Sequence, residues 1–108
     1  MHASVTTWRI DEAIREGDAY ERFLRETAPQ VVPLLRRHGL VAAWAVRTGA
    51  DTAVTVNLYP SAEAAEAALA EAGEVLRRAL AGRLEPVERR TGLADDLGAL
   101  ADVLEPGG

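Results

Sequence analysis

The segment from residue 54 to residue 68 constrains the fold most, because a strand with two chemically different faces runs directly into a helix. Residues alternate with the period of two that is typical of a β-strand. The apolar set is Val54, Val56 and Leu58, and the alternate set is Thr55, Asn57 and Tyr59. After Pro60 the sequence is rich in alanine and glutamate, which favours a helix. One strand face is therefore suited to burial, and the other either meets water or lines a cavity.

The residues before this segment predict a strand and a helix. Residues 5–10 are β-branched or aromatic and predict a short strand. From about Asp18, apolar residues recur at helical spacing up to Gly39, which predicts a helix that stops there. Pro29 and Pro33 fall inside that pattern, and each removes a backbone donor. We therefore predict that this helix is broken.

The middle of the chain predicts a hairpin followed by a second helix. Residues 40–48 form the second predicted strand, and "GAD" supplies the turn to the third, residues 52–59, which pairs with it antiparallel. Ser61 is a suitable N-cap for a helix that ends at Gly82. Its inward face carries Ala65, Ala68 and Ala72. These small residues either allow close packing or leave room for a ligand.

The C-terminal part predicts an edge strand and a small helix. Residues 84–92 form the strand, with Pro86 near its start, where proline is tolerated. Leu93, Leu97, Leu100 and Leu104 then recur at helical spacing and predict an amphipathic helix that needs a partner surface. We accordingly divide the chain into a domain of residues 1–92 and a C-terminal helix and tail of residues 93–108. The order of elements predicts a ferredoxin-like βαββαβ sandwich of the α+β class, with both helices on one face of the sheet.

Composition limits the classes of function. The chain has 108 residues, 48% of them apolar and 27% charged, which is typical of one globular domain. Its net charge of −5 argues against nucleic acid, and the absence of cysteine excludes disulfides and thiolate catalysis. No apolar stretch approaches the roughly 20 residues that a membrane span needs, and no signal peptide is evident. We expect a cytoplasmic protein that contacts neither membrane nor nucleic acid; its exclusive use of arginine and its many alanines suggest a high-GC genome.

Three features of pattern and order resemble the dimeric α/β-barrel proteins, specifically the antibiotic-biosynthesis-monooxygenase-like group. They are "VVPLLRRHGLVAAWAV", the "GAD" hairpin, and a third strand that runs through "LYPSAEAAEAA" into the second helix. The resemblance covers residues 5–92. It implies a homodimer in which two sheets stack face to face and each subunit keeps a cavity between its own sheet and helices. The valines of the third strand would then be buried between subunits, and its polar set would face the cavity.

The resemblance also identifies positions at which this chain departs from the group. The best-known oxygenases of the group carry a tryptophan at the end of the third strand and an asparagine four residues earlier. Tyr59 and Thr55 occupy those positions here, and Asn57 lies between them on the same face. Haem-degrading relatives use a helix-borne histidine, for which His38 is the internal candidate. We expect no bound metal or cofactor.

Asn57, Tyr59 and His38 are the predicted catalytic residues. Asn57 and Tyr59 could hold a phenolic or enolate oxygen and stabilise its negative charge, although ordinary cross-strand pairing is the alternative. His38 could carry a proton near neutral pH, or simply end the first helix, where the dipole favours it.

Four further residues are predicted to bind substrate: Trp44, Thr55, Trp8 and Arg47. The two tryptophans could stack against a flat ligand or pack in the core. Arg47 could hold an anionic group. The arginine pairs, including Arg89–Arg90, are predicted to be solvated.

Two function hypotheses follow. In the first, the protein is an enzyme of specialised metabolism that acts on an aromatic or polyketide-like substrate, by cofactor-free oxygenation or by cyclisation or isomerisation through proton transfer. In the second, it is a non-catalytic dimeric protein that binds a ligand or assists a partner enzyme. The terminal helix could dock on its own subunit or reach across to the other.

Overall fold

The computed structural model describes residues 1–104, and side chains as far as Asp102. The elements are β1 (His2–Ile10), α1 (Ala19–Arg36), β2 (Ala42–Arg47), β3 (Thr52–Tyr59), α2 (Ala62–Leu80), β4 (Leu84–Leu93) and α3 (Leu97–Leu104), with a 3-10 turn at Glu12–Ile14. Their order is the predicted one, and β1 begins three residues earlier than expected. The predicted ferredoxin-like α+β fold is confirmed.

The four strands form one antiparallel sheet in the order β2-β3-β1-β4. The central strands β1 and β3 pair along their whole length, from His2 opposite Tyr59 to Arg9 opposite Thr52. β4 is an edge strand, and its pairing with β1 shifts by one residue between Thr7 and Trp8. This shift is a β-bulge, in which β4 carries one extra residue.

The sheet face that points away from the helices, which we call the outer face, is apolar over β2, β3 and the middle of β1, and charged along β4. By register it carries the hydrophobic set of β3 together with residues of β1 and β2: Val54, Val56, Leu58, Val5, Trp44 and Val46. Trp44 is 55% exposed and Val46 is 53% exposed. A continuous apolar surface of this kind on a sheet commonly marks an interaction site.

The first helix is continuous, so the prediction of a broken helix was wrong. α1 passes through Pro29 and Pro33 without interruption. Both prolines are exposed, so the carbonyls of Arg25 and Pro29, which lose their intrahelical donors, lie on the side where water can replace them. The helix is followed by Gly39, whose φ of 89° is the left-handed conformation expected of a glycine at this place.

The alanine row of α2 serves close packing between the helices. Ala68 and Ala72 have no exposed surface, and with Ala65 they pack against Val31 and Leu35 of α1. The hydroxyl of Ser61 accepts a hydrogen bond from the Ala64 N–H at 3.1 Å, so Ser61 is the predicted N-cap. Of the two roles considered for this row, close packing is the one observed at Ala68 and Ala72.

The C-terminal helix α3 presents its leucines to solvent. Its first turn is capped by Asp96, whose carboxylate accepts a hydrogen bond from the Ala99 N–H at 3.0 Å. Leu93 and Leu97 are 89% and 76% exposed, and Leu100 is also exposed. These leucines therefore do not dock on their own subunit; the side chain of Leu104, the last member of the predicted stripe, lies outside the described residues.

Replacing a buried alanine of α2 by leucine tests the close packing of the helices. We expect Ala68→Leu to lower the free energy of unfolding by about 1–3 kcal/mol, because the added carbons have no space between α1 and α2. Ala67→Leu is the matched control, since Ala67 is exposed one position away. Urea denaturation measures both variants. Equal stability of the two variants would contradict close packing at Ala68.

Candidate active site

The sheet face beneath the helices is polar at its centre, and we call this surface the polar floor. It consists of two rows that cross three strands, as the register shows. The first row is Thr55, Thr6 and Arg89, and the second is Asn57, Ser4 and Thr91. A sheet normally presents its apolar face to the helices that cover it. Here the two faces are reversed at the centre of the sheet.

A cavity of about 1280 Å³ lies between the polar floor and the two helices. Leu24 and Val31 of α1 and Leu69 and Leu76 of α2 contribute its apolar walls. Its volume exceeds the roughly 300–1,000 Å³ of typical ligand sites because it opens to solvent. Polar groups on one wall and apolar groups on the other suit a flat organic ligand that carries oxygen substituents.

Trp8 and Thr55 both line the cavity and are hydrogen-bonded to each other. The indole Nε1–H of Trp8 donates a hydrogen bond to the Thr55 hydroxyl oxygen at 2.8 Å. Trp8 lies opposite Ala53 in the register, on the helix side of the sheet, and packs against the cluster that contains Ile10 and Phe23. Its indole is therefore held in one orientation as part of the cavity wall.

Tyr59 ends β3 beneath the helices and is only 4% exposed. Its ring packs in the cluster of Val31, Leu35 and the α2 alanines. Burial raises the pKa of the Tyr59 hydroxyl above its ordinary value, and the positive charge of Arg89 offsets part of that increase. The hydroxyl therefore stays protonated at neutral pH and acts as a hydrogen-bond donor.

Asn57 lies two residues before Tyr59, on the same side of β3, and lines the cavity. Among the described residues, no hydrogen bond engages the side-chain amide of Asn57 or the hydroxyl of Tyr59. Polar groups that face a cavity without protein partners are available to a ligand. The structure thus brings Asn57, Tyr59, Thr55 and Trp8 together around one space.

His38 lies outside this cavity. Its Nε2 contacts the Glu71 carboxylate, which also accepts a hydrogen bond from Arg37 at 3.1 Å. The hydrogen bond with His38 lowers the pKa of the Glu71 carboxyl and is the largest cause of that shift. His38 ties the end of α1 to the surface of α2, and it does not reach the polar floor.

Arg47 and Trp44 are also placed away from the cavity's polar residues. The Arg47 guanidinium donates to the carbonyls of Arg15 at 3.1 Å and Ala50 at 3.0 Å, and it lies 5.2 Å from the centre of the Tyr20 ring. It fastens the hairpin turn to the segment before α1. Trp44 lies opposite Val56, so its side chain belongs to the outer face, and it borders the cavity only where β2 forms its edge.

Ser4, Thr6 and Arg89 line the cavity and were not predicted from the sequence as site residues. Ser4 and Thr6 are buried in β1, and they alternate with Val5 and Thr7 in a pattern that could have revealed them. Arg89 was predicted to be solvated with Arg90. Arg89 is exposed, and the bulge in β4 also places it opposite Thr6 at the cavity, where its Nε donates a hydrogen bond to the Ser4 hydroxyl at 3.0 Å.

Two features are not found among the described residues: a metal site and a helix that could span a membrane. In residues 1–102, no three histidine or acidic side chains gather in a way that could hold a metal ion. The helices within the described part of the chain are too short or too polar to cross a membrane.

The fold is shared with several solved structures, whereas the sequence matches no family model and no curated protein. HapK from Hahella chejuensis superposes with a TM-score of 0.71 at 19% identity, over 88% of this chain and 93% of its own. SnoaB, a cofactor-independent oxygenase from Streptomyces nogalater, gives a TM-score of 0.64 at 18% identity, over 88% and 93%.

A dimeric ferredoxin-like protein from an uncultured marine organism is similar as well. Its TM-score is 0.64 at 17% identity, over 88% of this chain and 97% of its own. The resemblance to the antibiotic-biosynthesis-monooxygenase-like group is therefore confirmed at the level of the fold.

A spectrophotometric titration tests the protonation state of Tyr59. Tyr20 is the other tyrosine, and burial raises its pKa too, so the measurement uses Tyr20→Phe. We expect Tyr59 to ionise above its ordinary pKa of about 10. Because the raised pKa belongs to the folded state, the associated stability is present below about pH 10 and is lost as the pH rises through the folded value. Ionisation below pH 10 would contradict the buried position.

Proposed function

We propose that the protein is a homodimeric enzyme of specialised metabolism that acts on an aromatic or polyketide-like small molecule without a bound metal or cofactor. The observation that carries this proposal is the polar floor, which lies beneath the helices and faces a cavity rather than solvent. Burying hydroxyl and amide groups under a helix layer is unfavourable unless they find partners. A ligand with oxygen substituents would supply those partners.

Asn57 and Tyr59 orient the substrate in this proposal. The Tyr59 hydroxyl and the Asn57 amide donate hydrogen bonds to the oxygen of a phenol or enol that has released its proton to solvent. The carbanionic carbon of this anion takes a proton from water, which gives an isomer, or adds to a carbonyl of the same molecule whose oxygen is then protonated, which gives a ring, or it reacts with dioxygen. In the oxygenation, one CH₂ becomes a carbonyl and the second oxygen atom leaves as water.

Trp8 and Thr55 complete the proposed substrate site. The indole is fixed by its bond to Thr55 and provides a flat wall against which an aromatic ligand can stack. Trp44 is not included because by register it belongs to the outer face, and Arg47 is not included because backbone carbonyls engage its guanidinium. His38 is not included because it lies outside the cavity.

The proposed homodimer is supported by the outer face. Its valines, Trp44 and Leu58 form an apolar surface, and an isologous pairing of two copies would bury it. A neighbour of the same fold is dimeric. With the apolar face covered by a second subunit, the helices need not pack tightly on the sheet, which leaves the cavity open.

A charged substitution at the centre of the outer face tests the dimer. We expect Val56→Asp to yield a folded monomer at concentrations where the unmodified protein sediments as a dimer, because an interface would bury the new carboxylate. Val75→Asp is the control, since Val75 is exposed on α2. Analytical ultracentrifugation measures mass, and circular dichroism verifies folding. A monomeric unmodified protein at high micromolar concentration would refute the proposal.

A ligand search by native mass spectrometry tests the proposed site. We expect compounds of aromatic or polyketide type to bind, and the double variant Asn57→Ala, Tyr59→Phe to bind them about tenfold to a hundredfold more weakly, because two hydrogen bonds are lost. His38→Ala is the control, because His38 lies outside the cavity. Unchanged affinity and turnover in the double variant would remove both residues from the site.

The second candidate is a non-catalytic dimeric protein that binds a ligand or assists a partner enzyme. It is favoured by the position of His38, the predicted proton carrier, on the helix surface. Incubation of a bound compound with the protein in air separates the candidates. An isomer, or a product with one oxygen in place of two hydrogens, indicates catalysis, whereas an unchanged compound indicates binding alone.

A further inference from the structure

The β-bulge in β4 determines which charged side chain reaches the polar floor. Trp8 pairs with Pro86 but Thr7 pairs with Glu88, so Val87 is the additional residue. Beyond it the alternation is reversed, and Arg89 falls opposite Thr6 on the helix side. Bulges commonly redirect a side chain beside a functional site. Without the extra residue, Glu88 would occupy the position opposite Thr6.

Arg89 is held in place by one of its nitrogens only. Its Nε donates to the hydroxyl of Ser4, which is buried in β1, at 3.0 Å. Among the described residues, its two Nη nitrogens donate to no acceptor. Because β4 is an edge strand and Arg89 is exposed, the guanidinium stands at the open side of the cavity.

The charge of Arg89 also has no carboxylate partner within residues 1–102. The two nearest acidic residues along β4 are already paired: Glu88 contacts Arg90 at 2.8 Å, and Glu85 contacts Arg9 at 2.7 Å. Both pairs involve residues of the outer face, Arg9 and Arg90 being on the side opposite to Arg89. A positive charge in a protein with a net charge of −5 is therefore left free beside the cavity.

We propose that the cavity selects ligands that carry an acidic oxygen, a carboxylate or an ionised phenol or enol, which binds the Nη nitrogens of Arg89 beside the Tyr59 hydroxyl. The proposal rests on the proposed function only in requiring that the cavity binds a ligand. A guanidinium fixed through Nε presents both Nη groups in the planar arrangement that a carboxylate accepts. Tyr59 is protonated and so adds a donor to the same anion.

Calorimetric titration with matched probes tests this selectivity. The probes are naphthalene carboxylate and naphthalene carboxamide, which share the ring and differ in charge, and each is titrated into the full-length protein. We expect the carboxylate to bind more tightly, with an affinity that decreases as salt increases. Arg89→Gln should weaken carboxylate binding about tenfold to a hundredfold and leave the carboxamide nearly unchanged.

Arg25→Gln is the control for the loss of one positive charge. Arg25 is exposed on α1 and does not line the cavity. A similar loss of affinity in Arg25→Gln and Arg89→Gln would overturn the proposal, since only general electrostatics would then be at work. Circular dichroism verifies that both variants are folded.

The variant Arg89→Lys distinguishes the two sources of the acidic oxygen. Lysine keeps the charge but loses the bidentate geometry, so binding of the carboxylate should weaken, while binding of nitrophenolate, whose phenolate end has a single oxygen, should weaken less. Equal binding of the carboxylate and the carboxamide by the unmodified protein would overturn the proposed selectivity for anions. The proposal that the cavity binds a ligand would still stand. Binding of none of these probes at millimolar concentration would contradict both the selectivity and the proposed function.

Discussion

The reversal of the two sheet faces is the constraint on which the rest of this structure depends. A single ferredoxin-like domain normally buries the apolar face of its sheet under its helices. Here the helices cover a floor of serine, threonine, asparagine and arginine, and the valines of β3 point the other way. Two surfaces therefore need partners that the described residues do not provide. Polar groups need a ligand or water, and apolar groups need another surface.

The helices can stand over a polar floor because they pack on each other. The buried alanines of α2 contact Val31 and Leu35 of α1, so much of the apolar surface of each helix is covered by its neighbour. A second cluster anchors the start of α1 at the far end of the sheet, through Phe23 and Ile10. Packing at the two ends and between the helices leaves the central rows uncovered, and the cavity occupies that space.

Alternation along β3 was sufficient to predict the most informative part of the site. It separated Asn57 and Tyr59 from the valines, although it could not decide between solvent and cavity, because that choice depends on where the helices lie. β2 carries Trp44 and Val46 on one face and alanines with Arg47 on the other, so alternation in β2 alone did not show which side faces the helices. The pairing of Trp44 with Val56 places Trp44 on the outer face, and the pairing of Arg47 with Ala53 places Arg47 on the helix side.

Arg89 shows what local sequence cannot supply. Its neighbours Glu88 and Arg90 are charged, so hydropathy gives no alternation from which a bulge could be inferred. The prolines of α1 were misjudged for a related reason. The effect of Pro29 and Pro33 depends on whether the unpaired carbonyls meet water, and their exposure is a property of the folded state. Elements and their order were thus predictable, whereas register shifts and exposure were not.

The charges at this end of the cavity limit the chemistry of the proposed function. Near Asn57 lie the phenol of Tyr59, whose pKa is raised by burial, and the guanidinium of Arg89, which has donors only. Neither accepts a proton in its resting state, and His38 is too far removed to do so. A substrate that is already ionised, or acidic enough to ionise beside a cation, would need no protein base. The arrangement therefore matches a phenolic or enolic substrate whose anion is stabilised by the site, in preference to one whose proton must be removed by it.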